Sequence, residues 1–474
     1  MAVSPFLCLN ILYRKEVVEL FHVVLYYPIE TGISTAEGDT TMNTLNLADY
    51  GIEQNKVETA KIQKVFDEAK EHGGLTVVVP KGTYMAGTLN IWNASIYLEK
   101  GAVLKASPDL ADYVDNGFVH NEMKKTVSFL YAMHEEDICI SGEGTIDLSG
   151  NAFYEMDVAD VPDYGVEFSE EQKAECTRPI KNRPTQPIFF YDCHNITIKD
   201  IKIQDAPCWT MSFHACEDIR ILDVLIKNNM IIPNNDGMHF CGSKNVIIKG
   251  CNITAGDDCI ALSAITDWDR PCENFVISDC IMRSVSKSIV FGYIHSMIRN
   301  VTMSNCVIYD SQRGICFMAS KGTGLIEHIL IENVRIETHV RAGNWWGNGE
   351  AVELLALEHN YDGYLNPAPD RNLPVTIRDI RFKNLSCTSE NVIAVIGEDN
   401  IEDVSFDGLY FEKKKSANRY LKGDRVIDVS PARVKVEVPE DGEYWLYSAG
   451  CRNLHIQNET IHAFEGKTLK AFVK

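Results

Sequence analysis

No stretch of this chain approaches the roughly 18 consecutive apolar residues that a membrane-spanning helix needs. The nearest candidate, Val17 to Tyr27, is too short and is interrupted by Glu19 and His22. Positive charge is scarce: 45 Lys and Arg stand against 67 Asp and Glu, a formal net charge of −22 at pH 7. That balance disfavours nucleic acid and anionic membrane surfaces as partners, and weakly disfavours a strongly polyanionic substrate. A secretory leader is not recognisable, because Arg14, Lys15 and Glu16 follow the modest N-terminal apolar stretch and no small-residue cleavage site comes after them. A cytoplasmic location is the expectation, with secretion left open for an atypical N-terminus. The 15 cysteines lack the converging CxxC or Cys/His spacing of a metal site. Their odd number prevents complete pairing, so reduced, buried thiols are expected, with no metal or organic cofactor.

At 474 residues the chain is long enough for two to four domains, or for one elongated β architecture. Residues 1–41 follow no sustained period and read as an atypical extension. In Thr59 to His72, Ile62, Val65, Phe66 and Ala69 fall at helical spacing and Gly73-Gly74 ends the run, which predicts a short amphipathic helix with a glycine stop. Thr76-Val77-Val78-Val79-Pro80 then opens a long series of short β-branched segments separated by Gly, Asn and Asp.

Those segments repeat. The unit is a polar residue, usually Asn or Asp, followed by apolar-x-apolar, with first apolar positions at Ile196, Ile219, Val246, Phe275, Val301, Ile329, Ile380, Val404 and Leu454. Most intervals are 23 to 29 residues, and two, of 51 and 50, are close to double periods. Period-2 alternation turns one set of side chains inward, and a repeat in the twenties accommodates about three short strands with their turns. That describes one coil of an all-β, parallel β-helix solenoid. Leucine-rich repeats share the period but not the absent Leu-x-x-Leu-x-Leu pattern. Cys193, Cys216, Cys272 and Cys451 each precede a unit by three residues and would stack in register as small apolar residues. The expected solenoid spans 42–410, with 411–474 as further coils or a cap.

Residues one coil apart in such a stack stand about 4.8 Å from each other. Asn234-Asn235-Asp236-Gly237 lies 21 residues before Gly256-Asp257-Asp258-Cys259, about one turn. Singly these are ordinary turn residues. Together they can place three carboxylates on one patch, where like charge raises at least one pKa and so keeps an acid and a base in one site. Hydrolysis of a glycosidic bond needs that pair.

On these residues the chain resembles the polygalacturonase family, glycoside hydrolase family 28, over roughly residues 45–410. The segment Thr59–Thr88 is similar to that family's first coil, Ala206-Pro207-Cys208-Trp209 to a later one, and Asn234–Gly237 and Gly256–Asp258 match its Asn-x-Asp-Gly and Gly-Asp-Asp motifs. The resemblance implies a single-stranded right-handed parallel β-helix with a short N-terminal capping helix. It also implies inverting hydrolysis, with Asp257 as general acid and Asp236 and Asp258 holding and deprotonating the water.

Two departures bear on the substrate. The family's Gly-His-Gly is Ser286-Lys287-Ser288 here, so a lysine replaces the histidine, and its Arg-Ile-Lys aligns with Cys316 and Met318. Loss of cations read in that family as holding a galacturonate acid group argues for a neutral sugar at the scissile subsite, unless Lys287 and Arg313 form a rearranged clamp. Alternation turns His239 outward beside Asp236, where it can orient the carboxylate or bind a sugar hydroxyl. In the insertion Gly343–Glu350, Trp345 and Trp346 offer platforms for a sugar face and Glu350 a fourth carboxylate, and a loop folded over the cleft would favour removal of terminal sugars. Trp209 and His214 are weaker candidates, Trp209 better explained by core packing. Asn234, His239, Lys287, Arg313, Trp345, Trp346 and Glu350 are thus the candidate substrate-binding residues. The leading expectation is a glycosidase acting on a pectin- or plant-cell-wall-derived oligosaccharide. The alternatives are a β-helical uronate lyase or epimerase, in which Lys287 stabilises a carbanion, and a carbohydrate-binding β-helix without catalysis.

Overall fold

The computed structural model describes residues 44–474 apart from 121–123, 164, 264–269, 293–295, 321–323, 344, 358–375, 419–425, 430–433, 438–443 and 465–467. The N-terminal extension of 1–41 lies outside the described residues. Short parallel strands pair with the strand one coil before and one coil after, building three walls of a parallel β-helix. His194–Lys199, Glu217–Leu222, Lys244–Lys249 and Cys272–Ser278 are successive rungs of the first wall. Lys202–Gln204, Leu225–Lys227 and Asn252–Ala255 belong to the second. Met211–His214, Met238–Cys241, Ile260–Ser263 and Lys287–Gly292 belong to the third.

The repeating unit maps onto the first wall. Ile196, Ile219, Val246, Phe275 and Val301 stack in register and are at most 1% exposed. The polar residue before each apolar pair turns the chain with a positive φ, as at Asn195, Asp218, Asn245, Asn274 and Asn300. Asn and Asp tolerate that left-handed conformation better than other side chains. Their amides also ladder along the outside: Asn245 donates to Asp218 at 3.1 Å and Asn274 to Asn245 at 3.0 Å. Cys193 stacks on Cys216, and all 14 cysteines among the described residues are free thiols.

The two long intervals are single coils, contrary to the double-period reading. Ile329 pairs directly with Ile380, and Val404 with Leu454. The additional residues leave the coil as insertions, which a solenoid tolerates because the cost of closing a loop grows slowly with its length. Tyr444–Gln457 and Lys470–Val473 extend the parallel sheet, so the C-terminal part adds coils; Val426–Val429 and Val434–Glu437 form a separate antiparallel pair.

The expected helix is present as Thr59–Glu71 and buries Ile62, Val65, Phe66 and Ala69. Inside the coils the third wall carries a column of rings: Phe190 stacks on Phe213 at 5.2 Å and Phe213 on Phe240 at 5.0 Å, within 10° of parallel. Phe213→Ala removes the middle ring from a fully buried column and is expected to cost about 3–5 kcal/mol. A urea midpoint lowered at constant m-value would register it; a change under about 1 kcal/mol would mean that the column relaxes around the cavity.

Candidate active site

Both acidic motifs lie where the chain turns from the second wall into the third. Gly237 N–H donates to the Asp258 carbonyl at 2.8 Å and Cys259 N–H to that of Lys287 at 3.0 Å, which sets Asp236, Asp258 and Lys287 side by side in consecutive coils. Lys287 is in register with Arg313, and Gly314 N–H reaches the Glu350 carbonyl at 2.9 Å, so the strip continues through Arg313 to Glu350. The motif glycines permit this closeness. A Cβ on Gly237 would lie 2.5 Å from the Cys259 carbonyl oxygen, and one on Gly256 would lie 2.2 Å from that of Ile232. Asn235 joins the motifs by accepting from Gly256 N–H while its amide donates to the Asn229 carbonyl at 2.9 Å.

The three carboxylates are nearly enclosed, Asp236 at 2% exposure and Asp257 and Asp258 at 7% each. Asp257 accepts from Asn234 Nδ2 at 3.2 Å. Burial and then the charge of Asp258 push its pKa up to about 7, against the opposing pull of Lys287. Burial, then Asp257 and Asp258, also raise Asp236 well above the ordinary carboxylate range. Lys287 Nζ donates to both oxygens of Asp258, at 2.7 and 3.0 Å. Burial alone would lower its pKa, but Asp258 and Asp257 outweigh that and raise it, so the ammonium persists. Three carboxylates with one paired ammonium hold a proton near neutrality.

His239 faces Asp236 as alternation requires, while Met238 and Phe240 fill the core. Its Nδ1 lies 3.2 Å from Asp236 Oδ2 and its Nε2 lies 3.2 Å from Ser263 Oγ. Burial lowers its pKa to about 3, so the ring is neutral. Trp209 lies on the outer side of the wall and stacks on His239 with ring centroids 3.7 Å apart, which makes it a neighbour of the site as well as a packed residue.

Arg313, Glu350 and Trp345 are placed otherwise than the sugar-binding reading expects. Arg313 is wholly enclosed and donates to Glu353 at 2.7 Å. Gly347 of the insertion presses on it, so closely that a Cβ there would lie 2.4 Å from Arg313 Cδ. Glu350 is also wholly enclosed, accepting from Asn391 Nδ2 and Asn348 N–H, each at 2.8 Å, and burial, then Glu353, raise it to about 7. Trp345 is buried and its indole N–H donates to the Glu175 carbonyl at 2.7 Å, whereas Trp346 is half-buried. The insertion therefore folds inward, because Arg313 and Glu350 need compensating partners once it covers them. Cys316 and Met318 join Ala261 and Val290 in an apolar cluster on the outer side of the third wall. His214 is buried and its Nε2 lies 2.9 Å from Gln186 Oε1.

Arg183 is a site residue that motif reading missed. Its guanidinium bonds Tyr154 Oη, the Pro207 and Pro233 carbonyls at 2.9 and 2.7 Å, and Asn234 Oδ1 at 2.9 Å, and so orients the amide that holds Asp257. It sits 51 residues before Asn234 in an irregular segment, and nothing in its local sequence marks it. Ser263 and Ser286 were also missed; Ser286, beside Lys287 in the departed motif, lies within hydrogen-bond reach of Asp257, and Ser263 Oγ lies 3.2 Å from His239 Nε2.

A family model described as Glycosyl hydrolases family 28 matches residues 75–422. A polygalacturonase of Persea americana is 20% identical over 364 residues, 74% of this chain and 69% of that one. Among the first four curated relatives the aligned part covers 46% to 70% of the relative's length. Two solved structures share the fold. An exopolygalacturonase of Thermotoga maritima has a TM-score of 0.63 at 19% identity, covering 88% of this chain and 91% of that one. A Family 28 exopolygalacturonase of Yersinia enterocolitica has a TM-score of 0.67 at 16% identity, covering 91% and 77%.

Proposed function

Because the chain belongs to family 28 of the glycosyl hydrolases and is a glycosidase, we propose that it cleaves a glycosidic bond in a pectin- or plant-cell-wall-derived oligosaccharide, by inversion and with a neutral sugar at the scissile subsite. The observation that carries this reading is the strip of three nearly buried carboxylates in adjacent coils, one of them held at about 7. Asp257 protonates the leaving oxygen. Asp258, oriented by its two bonds from Lys287, receives the proton of the attacking water, and Asp236, held by His239, positions that water.

The neutral subsite is supported by what surrounds the strip. Cys316 and Met318 are buried in an apolar cluster, Arg313 is paired with Glu353, and Lys287 with Asp258. Arg183 is bound to four neutral oxygens. A uronate carboxylate placed there would meet Arg313 and Lys287 already paired with carboxylates and Arg183 with its donors already on four protein oxygens, and would lose its hydration without a dedicated partner. The insertion closes the strip at Arg313, one coil beyond Lys287, which supports removal of terminal sugars over cutting within a polymer.

A panel of pectic oligosaccharides ending in neutral or acidic sugars tests this, with products followed by chromatography and the first-formed anomer by NMR. Release of a neutral monosaccharide as the inverted anomer is expected. Preferential release of galacturonate would overturn the subsite assignment, and a retained anomer the stereochemistry.

A further inference from the structure

We propose that His120, His214 and Cys241 form a binding site for one zinc ion, set behind the catalytic strip and connected to it through Ser263 and His239. The nitrogen and sulfur donor atoms of the three residues lie within 4.8 Å of one another, and the residues are at most 2% exposed. They come from separate parts of the chain. His214 and Cys241 are in-register neighbours on the third wall. His120 ends Asp115–His120, the first strand of an antiparallel hairpin with Lys124–Val127. His120 meets the His214 ring edge to face at 5.3 Å.

Two imidazoles and a thiol suit zinc, a borderline cation that takes nitrogen and sulfur ligands, whereas calcium and magnesium take oxygen donors. Outer partners of the kind that orient metal ligands are present: Gln186 Oε1 lies 2.9 Å from His214 Nε2, and Ser263 Oγ 3.3 Å from Cys241 Sγ. Rings pack beside these residues, Phe118 and Phe189 against His214 and Trp209 against His120. Binding converts the Cys241 thiol to a thiolate bonded to zinc and releases one proton to solvent. The ion would clamp the hairpin to the wall. It would also fix Ser263 Oγ, which reaches Asp236 through His239.

The full chain, stripped with a chelator and dialysed, is titrated with Zn²⁺ alone and then with Co²⁺, whose thiolate charge-transfer and tetrahedral bands report the ligand set. One equivalent per chain is expected, with a raised Tm and a thiolate band for cobalt. Cys241→Ala abolishes the band and His120→Ala weakens binding at least tenfold. His120 lies in the hairpin outside the coils, so that variant keeps the solenoid, which circular dichroism confirms. Absence of stoichiometric binding, or a cobalt thiolate band unchanged in both variants, overturns the site. Metal content is read independently of sugar release, so failure here leaves the hydrolase reading standing.

Discussion

Asp257→Asn is expected to reduce kcat on the best pectic oligosaccharide by about 10²–10⁴-fold, the contribution of one positioned proton donor. Asparagine is nearly isosteric and still accepts from Asn234 Nδ2, so the loss is chemical and KM changes little. Activity of the parent enzyme should fall as pH rises through about 7, where Asp257 loses its proton. Stability follows the same group. Its folded-state pKa is raised from 3.8 to about 7, so its favourable contribution is complete below about 4 and lost as pH climbs through about 7. The variant lacks that titration. Its Tm relative to the parent should therefore become more favourable from pH 5 to pH 8, measured by thermal scans across that range. Unaltered turnover would remove Asp257 from the mechanism, and a Tm difference flat with pH would contradict its raised pKa.

Lys287→Met should do comparable damage by a different route. The methionine keeps much of the apolar stem but leaves Asp258 in a 7%-exposed position without its ammonium. Removing one partner of a buried ion pair costs on the order of 3–5 kcal/mol. The Asp258 carboxylate also loses the two bonds that orient it as a base, so kcat/KM should fall at least a hundredfold. Lys287 lowers the pKa values of Asp257 and Asp236. Its loss raises them further, and the alkaline limb of the residual activity should move to higher pH. A pH–rate profile measured alongside denaturation separates this from simple unfolding, because a purely structural lysine would lower the amplitude and leave the limb in place. Retention of full activity would show that the lysine standing in the family's histidine position is dispensable.

The coil stack was legible because its determinants are local and repeated. Each unit pairs a turn residue that accepts positive φ, such as Asn245 or Asn274, with alternating apolar residues, and the register of neighbouring coils follows from that alternation. The convergence of Asp236, Asp257 and Asp258 was legible for the same reason, since one period separates the motifs. The period failed at 329–380 and 404–454, where chain length reports insertion and not coils.

What the order of residues determined by itself is the solenoid, its inward and outward faces, and the strip on which the three aspartates meet, since regular parallel pairing converts sequence distance into spatial position. Partnership across irregular segments was decided only by the tertiary structure: Arg183 reaching Asn234, Glu353 enclosing Arg313, the insertion turning Trp345 inward, and a hairpin carrying His120 to His214 and Cys241. These contacts join residues whose separations share no period. Their pairing is set by the charge and shape that each burial event must satisfy.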